Sequence, residues 1–332
     1  MQTNYTHEVN IGVEADFDLF LQKVEMDDSG RPVVDGNGQT IPVGALRHAY
    51  TGGNLITNTG LNVLASESFS PSSFHRNWGR RLNVGGGTAE PLPTDTALTS
   101  KIADSGTRAE DSNYTFSWGT GDDAGKLIFT VNFTFAVGVA AGNISEVGLD
   151  FGAQLQTHAL LKDGSGNPVV VVVAPDEQLV CAYRTKFQAS TADVVFTATT
   201  SPTPVQYTLT LRPCNLGGTI FENGTGVISG YGTAFTYRGA APAIGAINSE
   251  PTGTKDAGVT YTGRFSSDGY VAGSFEKINH FTWQPSDANY ADIGALMFNG
   301  SLFSWQIGIV PRLTKASPET IKISIKTTWS RV

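Results

Sequence analysis

The sequence predicts an all-β protein of two β-sandwich-like domains with long loops and only one or two short helices. Glycine (38 residues) and proline (15 residues) are frequent in the 332-residue chain, whereas charged residues make up only 16% of it. This balance favours strands joined by tight turns. Apolar and polar residues also alternate strictly in several stretches, which is typical of strands that bury one face.

The predicted strands follow this alternation along the chain. An early strand is expected around Phe17, Leu19 and Leu21, and longer alternating stretches occupy residues 127–137, 179–187, 207–211 and 321–329. The segments DGNG at 35–38 and DGSGNP at 163–168 combine Asp, Gly and Asn between apolar runs, so both are predicted to be hairpin loops.

Helix is expected at only two places, residues 55–65 and 95–102. In the second, Thr94 or Asp95 is positioned to cap the helix, because its side-chain oxygen can accept hydrogen bonds from the first free amides. Small polar residues and two prolines between 189 and 204 interrupt the apolar pattern. We therefore predict domains at 1–190 and 191–332, and a loose similarity between the two halves raises the hypothesis of a duplication.

Composition also bears on partners. The net charge is −8 and the basic residues are dispersed, which predicts no direct nucleic-acid binding. The N-terminus has no signal-peptide pattern, and the longest purely apolar run, 169–174, is too short to span a bilayer, so no membrane insertion is expected. Cys181 and Cys214 are predicted to be buried free thiols, with a disulfide between them as the alternative.

No catalytic, cofactor-binding or metal-binding residue is predicted. The three glycines at 85–87 lack the lysine and the helix junction of a phosphate-binding loop, which favours a structural turn. The five histidines are far apart in sequence, and the paired acidic residues are interpreted as solvated loop positions.

Two sets of residues are candidates for contacts with partners. Segments 1–11 and 66–83 have little regular pattern and are predicted to order against neighbouring subunits. The second is the candidate assembly arm, with Phe74, Arg76, Trp78, Arg80 and Arg81. The C-terminal half is rich in aromatic residues, of which Trp283 and Trp305 are the candidate contacts for a glycan or a partner protein. The competing interpretation is that these rings are core residues.

Several short segments occur in a characteristic order: NLITNTGLN at 54–62, VGGGT at 84–88 with PTDTAL at 93–98, ISEVGL at 144–149, and then Tyr183 in a closing strand. This succession, over about residues 54–187, resembles virion structural proteins of tailed bacteriophages, especially tail-fibre, baseplate and other tail-associated components. The final TWSR at 328–331 is similar to the terminal strand of some of these proteins.

The resemblance implies a non-enzymatic virion subunit that binds copies of itself and other virion proteins, made in the bacterial host cytoplasm and located in the virion. It implies no catalytic residues. Two alternatives remain: a carbohydrate-binding adhesin that contacts the host surface, and a capsid decoration or head-to-tail connector protein. Rigid β-domains with exposed apolar patches suit repeated subunit contacts.

Overall fold

A computed structural model describes residues 2–65, 78–105, 114–152, 154–199, 204–214, 216, 231–256, 259–260, 265–300 and 302–332. Within these ranges the chain forms 22 β-strands, one α-helix and one short 3₁₀ helix. The predicted all-β class is confirmed.

The N-terminal half contains the strands β1 (Gln2–Lys23), β2 (Arg47–Ile56), β3 (Arg81–Gly85), β4 (Lys101–Asp104), β5 (Tyr114–Trp118), β6 (Lys126–Thr134), β7 (Gly142–Ile144), β8 (Glu146–Phe151), β9 (Gln154–Leu155), β10 (Thr157–Leu160), β11 (Val171–Val173) and β12 (Glu177–Ala189). Helix α1 (Asn58–Leu64) follows β2, and the 3₁₀ helix (Gly121–Asp123) precedes β6.

The C-terminal half contains β13 (Val194–Thr199), β14 (Gln206–Cys214), β15 (Tyr231–Ala243), β16 (Thr252–Lys255), β17 (Val259–Thr260), β18 (Phe265–Ser267), β19 (Glu276–Trp283), β20 (Ile293–Gly300), β21 (Ser304–Leu313) and β22 (Ile321–Arg331).

Strand β1 organises the larger, 13-stranded sheet. It pairs antiparallel with β12 through residues 11–23, and its other edge pairs first with β22, in parallel, and then with β2, antiparallel. Beyond these partners the sheet extends through β19 and β18 on one side and through β10, β8, β3 and β4 on the other. Strands β6 and β5 continue it from β12.

A second, seven-stranded sheet has the order β13-β14-β21-β20-β15-β16, with β17 also paired to β15. Its inner face packs on the larger sheet: the ring of Phe281 in β19 lies 4.4 Å from that of Phe298 in β20, measured between centroids. His7 of β1 similarly stacks on Phe196 of β13. One continuous apolar cluster includes residues of both sheets.

The alternating stretches form the predicted strands. In β6 the residues Leu127, Phe129, Val131 and Phe133 are buried, and β12, β14 and β22 also bury alternate residues. The loops at 35–38 and 163–168 are hairpins, closed by bridges between Val34 and Thr40 and between Lys162 and Pro168.

One helix prediction is confirmed and the other is wrong. Helix α1 lies inside the predicted range 55–65, and the hydroxyl of its N-cap residue Thr57 accepts a hydrogen bond from the Gly60 amide. Residues 95–100 instead form irregular structure with a turn before β4. The amides of Thr99 and Ser100 bond to Glu146, and the Asp95 carboxylate bonds to His158 and to the Leu92 amide.

The predicted boundary near residue 190 coincides with the change of sheet between β12 and β13. Strands β18, β19 and β22, however, return to the larger sheet, where β22 lies between β1 and β19. A division of the chain at residue 190 therefore does not separate the two sheets.

Candidate functional site

The glycine segment at 85–87 surrounds a carboxylate of the protein itself. Oε1 of Glu146 accepts hydrogen bonds from the amides of Gly87 (3.0 Å) and Ser100 (2.6 Å), and Oε2 accepts one from the amide of Thr99 (3.0 Å). A Cβ atom added to Gly85 or Gly87 would lie 2.4 or 2.5 Å from Oε1. The glycines are therefore needed for the close approach of Glu146, and the anion in this cradle is a side chain.

His158 links Glu146 to the Pro-Thr-Asp segment. Its Nε2 lies 3.1 Å from Oε2 of Glu146 and its Nδ1 lies 2.6 Å from Oδ2 of Asp95, which also accepts from the Leu92 amide. Each ring nitrogen of His158 therefore faces a carboxylate oxygen, and the imidazole bridges the two acidic side chains. We call Asp95, Glu146 and His158 the acid-histidine cluster.

The acid-histidine cluster is closed to solvent at its centre. Glu146 is 0% exposed and His158 is 1% exposed. The Glu146 oxygens are occupied by three amides and the imidazole, whereas the Asp95 side chain is 22% exposed at the edge of the cluster. Chemically, this arrangement joins loops to a sheet.

Further hydrogen bonds connect all the segments that carry the phage resemblance. The amide of Asn58 in α1 donates to the carbonyl of Pro93 (2.7 Å), and the Ser145 hydroxyl donates to the carbonyl of Gly87 (2.7 Å). Tyr183 donates through its hydroxyl to Thr157, next to His158. Segments that are short and weak as separate sequence signals thus form one hydrogen-bonded unit.

Sequence reasoning missed the acid-histidine cluster, although it identified each segment around it. The local sequence predicts a helix cap at Thr94 or Asp95 and a surface or structural role for the lone His158, so neither prediction connects the two residues. The available signal is Glu146 itself, an acidic residue close to Ile144, Val147 and Leu149 in a short segment, because a buried carboxylate requires compensating donors.

The structure describes three of the five residues predicted for an assembly arm. Residues 2–11, also predicted to order against a neighbouring subunit, instead begin β1 and pair with β22 of the same chain. Phe74 and Arg76 lie outside the described residues. Trp78 is fully buried and donates from Nε1 to the Thr185 hydroxyl (2.7 Å), so it belongs to the core of the subunit and the prediction of an interface role is wrong for it. Arg80 is exposed near the Phe151 ring, and Arg81 is half-buried in β3.

Trp283 and Trp305 are core residues. They are 1% and 2% exposed, and Trp283 packs edge-on against Phe298 across the two sheets. The prediction that these rings contact a glycan or partner is wrong for the folded subunit, because β19 buries alternate residues, including Trp283, and β21 buries all residues from Trp305 to Ile309. Cys181 and Cys214 are buried free thiols, and burial raises the pKa of each well above its usual range.

Residues 24–46, which we call the β-arm, form an exposed double hairpin. Backbone hydrogen bonds tie Glu25 to Ile41 (2.9 Å) and Val33 to both Glu25 (2.8 Å) and Ile41 (3.0 Å). Most of its side chains are exposed, among them the apolar Val34 and Leu46. The β-arm is thus ordered by its backbone and buries little of its own surface.

Aspartate side chains stabilise the turns of the β-arm. Oδ1 of Asp35 accepts from the amides of Asn37 (2.8 Å) and Gln39 (2.9 Å), and Asp27 makes the same pair of bonds to residues two and four positions on. Asp163 repeats the arrangement in the hairpin 163–168. In each case the amide four residues on is the main cause of a lowered aspartate pKa.

The outer face of the larger sheet carries a network of ion pairs. Lys186 contacts Asp16 and Asp123 at 2.7 Å each, and Arg184 contacts Asp18 at 2.7 Å. The hydrogen bond from Lys186 is the main cause that lowers the pKa of Asp123. Opposite charges at alternate positions of paired strands β1 and β12 produce this network.

No family model, curated protein or solved structure matches the chain. Among the described residues, no cluster of three or more His, Cys, Asp or Glu side chains is arranged to hold a metal ion. In the same part of the chain, no helix has the length and apolar character needed to cross a membrane.

Proposed function

We propose that the protein is a non-enzymatic structural subunit of a tailed-bacteriophage virion, in the tail, a tail fibre or the baseplate, which binds copies of itself and other virion proteins. The observation that carries the assembly role is the β-arm. It is ordered by backbone hydrogen bonds yet leaves Val34, Val43 and Leu46 45–53% exposed. A rigid arm with apolar side chains suits an interface that forms on assembly.

The phage assignment rests on the sequence resemblance. The unit built around Glu146 supports it, because the segments that resemble virion proteins are linked by hydrogen bonds and therefore have a common structural reason to occur together. On this proposal the acid-histidine cluster fixes loops of a rigid β-subunit, and the subunit acts through its surfaces.

The β-arm can be tested by measuring the oligomeric state of the full chain. We expect the wild type to form concentration-dependent oligomers in analytical ultracentrifugation and the combined variant Val34→Ser, Val43→Ser, Leu46→Ser to shift strongly towards monomer. The matched control replaces two equally apolar, more exposed valines elsewhere, Val271→Ser and Val310→Ser. A wild type that stays monomeric at high concentration and binds no virion component would overturn the assembly role.

Antibody labelling of intact particles tests the virion location. Label on the tail or baseplate supports the proposal, and label on the head favours the decoration or connector alternative. Particles without any label contradict a virion role. The adhesin alternative can no longer rely on Trp283 and Trp305, because both rings are buried.

A further inference from the structure

A small cavity lies between β3, β8 and the segment that precedes β4. Its volume is about 190 Å³. Asn83, Asp150 and Leu155 form its buried floor, and Thr96 and Lys101 are exposed at its mouth beside Leu98. The cavity is distinct from the acid-histidine cluster, whose three residues do not line it.

Two hydrogen-bond acceptors on the cavity floor have no partner. Asn83 is 3% exposed and Asp150 is 8% exposed, and the Oδ1 atom of each makes no hydrogen bond within the described part of the chain. Asn83 of β3 pairs with Gly148 of β8, and Asp150 lies two residues after Gly148 on β8. The side chains of Asn83 and Asp150 are therefore on the same face of the sheet. A buried carboxylate oxygen without a donor is costly, so a bound molecule that donates hydrogen bonds here would be stabilised.

The other residues that line the cavity indicate which kind of ligand can supply these donors. Lys101 lines the cavity and its ammonium pairs with Asp104 at 2.7 Å; a positive charge on a lining residue disfavours a cationic ligand. This ammonium can donate to a ligand oxygen, and the Thr96 hydroxyl can donate or accept. Leu98 and Leu155 offer an apolar wall. A ligand that fits must both donate and accept hydrogen bonds, carry no positive charge and present C–H groups.

We propose that this cavity binds one small polyhydroxylated molecule, such as a single neutral monosaccharide unit. Hydroxyl groups donate to Asn83 and Asp150 and accept from Lys101, and the ring C–H groups contact the leucines. The volume is below the ~300 Å³ at which pockets accept drug-sized ligands, which limits the ligand to about one sugar ring. The inference is independent of the virion assignment, because it uses only the residues that line the cavity.

The test is saturation-transfer NMR on the full-length protein with glucose, galactose, mannose and glycerol as separate probes. At least one probe should show saturation transfer that Asp150→Asn and Ala97→Trp reduce about tenfold or more, the first by weakening a charge-assisted hydrogen bond and the second by filling the mouth. The matched controls are Asp122→Asn, an exposed carboxylate outside the cavity, and Ala97→Ser.

Folding of each variant is checked by its melting temperature, which we expect Asp150→Asn to leave unchanged or raise. Absence of saturation transfer from all four probes overturns the proposal. So does transfer that both cavity variants leave intact, or displacement of the sugar by methylammonium, which would indicate a cation site. None of these outcomes depends on whether the protein is found in a virion.

Discussion

Glu146 explains the most distinctive local sequence of the protein. Its carboxylate is buried beneath the three-glycine segment and receives hydrogen bonds from three backbone amides and from His158. The glycines provide space, Asp95 holds the other side of the imidazole, and Ser145 bonds the same loop. The burial of Glu146 therefore explains the choice of residues in several segments that are far apart in sequence.

Glu146→Ala should be severely destabilising. The substitution leaves three amides and the imidazole facing a cavity, and breaking a buried charged network typically costs about 3–5 kcal/mol. Urea unfolding followed by circular dichroism measures the loss. Glu90→Ala is the control, because the Glu90 side chain is 66% exposed and pairs with Lys162 at the surface, so its loss should be ~0.5 kcal/mol or less. Equal losses for the two variants would contradict the role assigned to Glu146.

His7 should make stability depend on pH. Burial lowers its pKa to about 4, whereas the unfolded chain titrates near 6.5, so the unfolded state binds more protons between these values. Stability should therefore fall as pH decreases from 6.5 to 4, by ~3 kcal/mol at most. Aspartates with lowered pKa values, such as Asp123, lose their contribution only at lower pH.

The measurement is the free energy of unfolding across that range for the wild type and His7→Phe. We expect the variant to show a flatter profile between pH 6.5 and 4. A slope unchanged in His7→Phe would show that other groups produce it.

At the scale of elements, the alternation of apolar and polar residues predicted the strands well, because the apolar positions are those on the buried face of each strand. Strands β6, β12, β14 and β22 all follow it. The helix expected at 95–102 failed because local capping chemistry at Asp95 was outweighed by its bond to His158, a residue 63 positions away. The acid-histidine cluster was not predicted for the same reason: its residues are far apart in sequence, and no local pattern connects them.

Asp35→Ala should loosen the β-arm alone. The Asp35 carboxylate holds the amides of Asn37 and Gln39, and Gly38 closes the turn with a φ of 78°, which favours glycine. Hydrogen exchange at Gln39 and Ile41 should accelerate several-fold, with exchange in β6 and β12 unchanged. Asp28→Ala, at an exposed neighbouring position, should leave all these rates unaltered. Acceleration throughout the larger sheet would contradict a purely local role.

At the scale of the whole molecule, the two halves of the chain are interleaved. The start of β1 pairs with β22, and Asn10 and Thr328 are hydrogen-bonded across 318 positions of sequence. Parallel pairing between such distant strands leaves no signal in composition or periodicity, which explains why a break near residue 190 was expected to separate domains. The composition break marks only the change from one sheet to the other.

A chain ending at residue 190 should consequently fail to fold as a cooperative unit. It lacks β22, the strand that pairs with the first half of β1, and it lacks Phe196, which covers His7. Apolar residues of β1 such as Val9 and Ile11 would lose the second sheet that buries them.

Fragment 1–190 should show a broad thermal transition and poor amide dispersion by NMR, in contrast to the full chain. Adding fragment 191–332 should restore dispersion, because it supplies β22 and the second sheet. A sharp, cooperative transition of fragment 1–190 alone would instead establish an independent N-terminal domain.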